Sequence, residues 1–186
     1  WADPVSYRFV GDIVGTLDGV PVSGLLTLTV TGDTNDLTSS PPAQFLNSVG
    51  TSTFELASVG SFTVTNSAYV FARPDLGMVG FGVQGIPNCC DIIQLQNAVL
   101  AGYDLNDAIG PVSGPPNPSL ADWVNVPTTA GMFTVTAMVG NSFQAIIGTP
   151  VPEPGLPALM ALAGALAWAT SRRRRAAQPW GARLAG

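Results

Sequence analysis

The 186-residue chain contains no His and no Lys. It therefore has no imidazole base, no histidine metal ligand, and no amine for a Schiff base or a Walker-type phosphate contact. Carboxylates, hydroxyls and two cysteines remain. Cys89 and Cys90 are adjacent in sequence, and neighbouring Cα atoms about 3.8 Å apart fall below the usual disulfide range of about 4.4 to 6.8 Å, so a vicinal disulfide would be strained and comparatively reducible. Such a rigid turn could face a sugar or work as a redox switch. The plainer alternative is a pair of loop cysteines, or a bond that only stiffens residues 87–91. Two adjacent thiols without other Cys or His make a poor metal site.

Asp33-Thr34-Asn35-Asp36 and Asp104-Leu105-Asn106-Asp107 open like calcium loops, with carboxylates and amides alternating. Both fail at the third alternating position, held by Leu37 and Ala108, and neither is followed by the bidentate Glu such a loop needs. Asx residues are common in turns, so no metal or cofactor is expected. Glycoside hydrolysis needs two carboxyl groups flanking one bond, and Glu55 is the only Glu before residue 151. No Gly-x-Ser-x-Gly elbow occurs, and without His no serine triad forms. Trp123, Tyr69 and Tyr103 have the rings to stack on sugars, though an aromatic in a β-rich body more often serves its core.

The other informative residues lie near the C-terminus. Val151, Pro152, Glu153 and Pro154 precede an uncharged run, 156–170, which ends at Arg172, Arg173, Arg174 and Arg175. About 15 helical residues at about 1.5 Å each span roughly 22 Å, a short crossing of a hydrocarbon core of about 30 Å. Snorkelling arginines and local thinning make that tolerable. Four consecutive Arg on one side orient the segment with the cluster in the cytoplasm and the body outside. The prolines keep the tetrapeptide extended at the outer face, open to an enzyme. A chain beginning Trp1-Ala2-Asp3-Pro4 is compatible with loss of a secretory leader.

This order of blocks resembles a PEP-CTERM sorting signal. The resemblance covers about 25 residues and implies export from a Gram-negative bacterium, recognition and cleavage by an exosortase, and delivery to the cell surface or an exopolysaccharide (biofilm) matrix. Eleven residues, 176–186, follow the arginines, a longer extension than the family usually carries.

Charge divides the chain in the same place. Residues 1–150 hold Arg8 and Arg73 against eleven acids, a net of −9, whereas 151–186 hold five Arg against Glu153, a net of +4. An acidic body without a basic patch excludes nucleic acid as a partner, and the asymmetry points to a membrane.

The body that must position these residues is rich in Gly, Pro, Thr, Ser and Val, a composition of short strands joined by turns. Stretches 5–10 and 13–17 lead to Asp18-Gly19, a tight-hairpin dipeptide. In 22–31, Leu26, Leu28 and Val30 alternate with Thr27, Thr29 and Thr31, the period of a half-buried strand. Further strands are expected at 51–56, 61–65, 68–71, 78–83, 92–96, 132–139 and 142–147, with Gly140-Asn141 as the turn of a final hairpin. Two long loops are expected at 32–48 and 110–127. Nine or ten strands without an amphipathic helix predict an all-β fold, an antiparallel sandwich or jelly-roll.

The expected organisation is an exported β-sandwich body at 1–148, the sorting signal at 149–175 with one transmembrane helix at about 156–171, and a short cytoplasmic tail at 176–186. The expected role is a non-enzymatic surface or matrix component, with a carbohydrate-binding module retaining exopolysaccharide as the alternative and a carboxylate-based glycan hydrolase as the third reading.

Overall fold

The computed structural model describes residues 3–40, 44–85, 91–115 and 123–148, all within one compact unit, Trp1–Thr149. The expected all-β antiparallel architecture is present as two packed sheets. The first runs β10 (Ile109–Gly114), β12 (Gly131–Ile147), β1 (Pro4–Leu17), β2 (Val20–Asp33), β5 (Thr51–Leu56), β6 (Gly60–Thr63), with β11 (Val126–Thr128) also paired to β12. The second runs β3 (Leu37–Ser40), β4 (Gln44–Val49), β7 (Ala68–Arg73), β8 (Met78–Val83), β9 (Asp91–Gln96). The only helical pieces among the described residues are two 3₁₀ turns, and no described helix is long and apolar enough to cross a membrane. The expected transmembrane helix lies outside the described residues.

Alternation explains the core. Tyr7, Phe9 and Ile13 of β1 and Leu26, Leu28 and Val30 of β2 point inward, against Val70 and Ala72 of β7 and Val79, Phe81 and Val83 of β8. Phe54 sits at the centre, with the rings of Phe133, Phe62, Trp123 and Phe81 at 5.4, 5.5, 6.0 and 6.4 Å. The β1–β2 hairpin turns at Asp18-Gly19, both left-handed at φ 49° and 78°, as a two-residue primed turn requires. On the outer side of the second sheet the Phe71 ring occupies the space that a Cβ on Gly80 would take.

The structure corrects the expected final hairpin. Residues 131–147 form one strand that pairs with β1 from Leu17↔Phe133 to Val5↔Ile147. Gly140-Asn141 is an irregularity in that ladder, between the pairs Val10↔Ser142 and Asp12↔Val139. A second shift, at Thr136, separates Val14↔Ala137 from Gly15↔Val135. Bulges bend a strand without ending it, and here β12 changes its second neighbour from β11, at Gly131–Phe133, to β10, at Asn141–Ala145. Gly11 and Gly15 are glycines because β12 comes so near: a Cβ on Gly11 would lie 2.6 Å from the Gly140 carbonyl oxygen, and one on Gly15 would overlap that of Thr134.

Stretches 5–10 and 13–17 are likewise one strand, continuous through Gly11-Asp12. The two expected long loops contain β3, β4, β10 and β11. Ile109–Gly114 holds Pro111, which donates no ladder bond and is tolerated at an edge. A bridge from Val64 to Thr128, with bonds from Thr65 N to Pro127 O (3.1 Å) and Thr129 N to Thr63 O (2.9 Å), links β6 to β11. The first sheet therefore curls until its edges join through β11.

Candidate functional site

Among the described residues, two places bring polar side chains together from distant parts of the chain around a carboxylate, and neither is a metal or triad site of familiar form. The first is the end of the sandwich where the strands begin and finish. Asp3 O accepts from Thr34 N (3.1 Å), and Gly148 N donates to Pro4 O (3.1 Å), so residues 3, 4 and 148 gather at the end that holds the Asp33–Asp36 turn. Asp104 and Asn106, about 70 residues away in sequence, line the same pocket as Thr34, together with Thr38, Ser39, Leu37 and Phe45, around about 300 Å³. Both Asx segments that resembled calcium loops thus meet here.

The first carboxylate of each is spent locally. Asp33 Oδ1 accepts from Asn35 N at 2.8 Å and Asp104 Oδ1 from Asn106 N at 3.1 Å, the Asx-turn geometry. Among the described residues no group of three or more His, Cys, Asp or Glu could hold a metal ion. A buried network ties the two turns together. Asn47 Nδ2 donates to Tyr7 Oη (2.9 Å) and to Asp33 O (3.0 Å), and Tyr7 Oη donates to Leu105 O (3.3 Å). Burial, with a smaller push from Asp104 and an opposing pull from the Asn47 bond, raises the Tyr7 hydroxyl to about 12. Burial also raises Tyr103, reinforced by Tyr7, Asp104 and Asp107, and its hydroxyl donates to Asp107 O (3.1 Å). These neutral phenols are joints between loops; buried hydroxyls with satisfied bonds hold conformation.

The second place is a groove of about 480 Å³ on the outer face of the first sheet, opened by the Gly140-Asn141 bulge. Val10, Leu25 and Val139 give it an apolar floor, Gly11, Gly114 and Gly140 keep it low, and Asp12, Ser113 and Ser142 supply polar groups, the Asn141 amide being buried. Its walls are pinned to β9 and the residue after it: Asn141 Nδ2 donates to Gln94 O (3.2 Å) and Asn97 Nδ2 to Ser113 O (2.7 Å). Val139 is 73% exposed and Leu25 52% exposed, so the floor is open to a ligand. One carboxylate, Asp12, lines this groove and one, Asp104, the pocket at the acidic end.

The remaining sequence candidates fall as follows. Trp123 and Tyr103 are buried core residues, so neither stacks on an external ring. Tyr69 is half-buried on the second sheet and bonds Asp91 Oδ1 at 3.1 Å. Glu55 is exposed on β5, opposite Thr27. Cys89, Cys90, Val151, Pro152, Glu153, Pro154 and Arg172, Arg173, Arg174 and Arg175 lie outside the described residues. Sequence reasoning missed the groove altogether. Its signals were Gly11-Asp12 interrupting an otherwise regular strand and Gly140-Asn141, whose turn-like composition concealed a bulge.

No family model matches the chain, and neither a curated protein nor a solved structure does.

Proposed function

We propose that the chain is an exported protein whose C-terminal segment sorts it through the inner membrane to the cell surface or extracellular matrix, where its β-sandwich body acts without catalysing a reaction. The observation that carries this reading is the order of Val151-Pro152-Glu153-Pro154, the uncharged run 156–170 and Arg172–Arg175, which suits insertion with the arginines retained in the cytoplasm. The charge division supports it, because the acidic body and the basic tail meet at the start of that segment. The exosortase is the partner this reading requires. A non-catalytic body is supported by the lack of His and Lys in the whole sequence and by the single carboxylate in each of the two polar pockets.

Replacing all four of Arg172–Arg175 by Gln tests the mechanism. Membrane fractionation is expected to show loss of insertion and of processing. Unchanged topology and processing would overturn the sorting role. A second reading, a carbohydrate-binding module that holds exopolysaccharide, is favoured by the open groove with its apolar floor and hydroxyl-bonding rim.

A further inference from the structure

The groove on the outer face of the first sheet holds one charged group, and it is unopposed. Asp12 is exposed, and among the described residues no hydrogen bond or ion pair engages its carboxylate. In register it stands between exposed Leu25 on β2 and exposed Val139 on β12. Val14, the next outward residue of β1, is exposed as well. No residue lining the groove is basic. On the same face Glu55 ends the row that runs from Val10 through Thr27, about 12 Å from Asp12 by strand spacing and rise. The arginine of this face, Arg8, lies outside the groove, about 13 Å along β1 from Asp12, and charges farther apart than about 8 Å are largely screened at physiological salt. The face therefore sets two carboxylates at an apolar floor that has no cation of its own.

We infer that this groove binds a glycan bearing free amino groups, a polymer of an amino sugar. Its ammonium groups would donate charge-assisted hydrogen bonds to Asp12, and the apolar faces of its rings would lie over Leu25 and Val139. Ser113 and Ser142 are the partners for its hydroxyls at the rim. The body's net charge of −9 over residues 1–150 draws a cationic chain towards it. A basic peptide matches the same charge less well in shape. The strands that carry Asp12 and Leu25 are each paired on both sides, so a peptide laid over them has no strand edge to extend. A glycan needs none, since side chains alone bind it. The inference rests on the carbohydrate-binding reading of this groove and names the class of its ligand.

The test titrates the full chain by calorimetry, in mild detergent and a weakly acidic buffer that keeps the amines protonated. The probes are a glucosamine oligomer, the same oligomer fully N-acetylated, and an oligolysine of equal charge. The wild type is expected to bind the glucosamine oligomer at least about tenfold more tightly than either of the others, the scale of one charge-assisted contact. Asp12→Asn should weaken that binding about tenfold. Asp36→Asn removes the same charge from the turn beside the start of β1, roughly 27 Å along the strand from Asp12, and should leave binding unchanged. Val139→Asn, at an exposed position, should weaken both oligosaccharides several-fold, and all three variants should melt like the wild type. Equal binding of the acetylated oligomer would overturn the amino-sugar inference and leave the carbohydrate reading in place, whereas no binding of either oligosaccharide would remove both. Oligolysine bound as tightly as the glucosamine oligomer, or Asp12→Asn behaving like Asp36→Asn, would also overturn the inference.

Discussion

Replacing Gly15 by Ala probes the register that separates this fold from the hairpin suggested by Gly140-Asn141. In the observed ladder Gly15 pairs with Val135 just past a bulge, and an added Cβ would overlap the Thr134 carbonyl oxygen and lie 3.1 Å from Val135 Cα. Both obstacles are backbone, so no rotamer change relieves them. Overpacking of this kind costs about 1 to 3 kcal/mol, and distortion of one ladder bond adds about 1 kcal/mol. The expected loss is about 2 to 4 kcal/mol. At roughly 2 to 4 °C per kcal/mol for a domain of this size, the melting temperature should fall by about 4 to 16 °C. Gly50 is the control: its φ is ordinary and a Cβ there meets nothing nearer than 3.7 Å, so Gly50→Ala should be neutral or stabilise by up to about 1 kcal/mol. Thermal and urea melts of both variants decide the matter. A Gly15→Ala melt within about 0.5 kcal/mol of wild type would refute the bulged pairing, because a hairpin closing on itself would leave Gly15 unobstructed.

Two further outcomes follow from the core and the buried phenols. Phe54→Ala removes the ring at the centre of the aromatic cluster and should cost about 3 to 5 kcal/mol in urea denaturation; a loss under about 1 kcal/mol would mean that the two sheets do not pack through it. Tyr7 titrates in the folded state at about 12 against an ordinary value of 10.0, so the unfolded chain releases its proton first. Its contribution is present below pH 10 and is lost as pH rises to 12, about 2 to 3 kcal/mol in all. Tyr7→Phe should flatten that part of the pH profile of the urea midpoint, and an unchanged slope would contradict the burial argument.

The local rules were legible where one side chain decides the outcome. The alternation of Leu26, Leu28 and Val30 with threonines marked β2, and Asp18-Gly19 marked its hairpin, because period and turn chemistry are written residue by residue. Strands at 51–56 and 78–83 emerged with the expected limits. Pairing was not legible. Gly140-Asn141 has the composition of a turn whether the chain reverses there or bulges, and the choice is made by β1, more than a hundred residues away in sequence. Ile109–Gly114 reads as a loop because Gly110, Pro111 and Gly114 dilute two apolar residues, yet β12 supplies it with a ladder. The two Asx segments failed as calcium loops on their own residues, and the structure uses the first carboxylate of each in a turn. The groove depends on a register shift, so no linear motif announces it.

The central claim is that the body is released from a C-terminal sorting segment. Intact mass spectrometry of the exported protein, from cells with and without the exosortase, tests it most directly. The account predicts that everything beyond the Val151–Pro154 region is absent only when the enzyme is present. An intact C-terminus in both would contradict it and leave a β-sandwich on an ordinary membrane anchor.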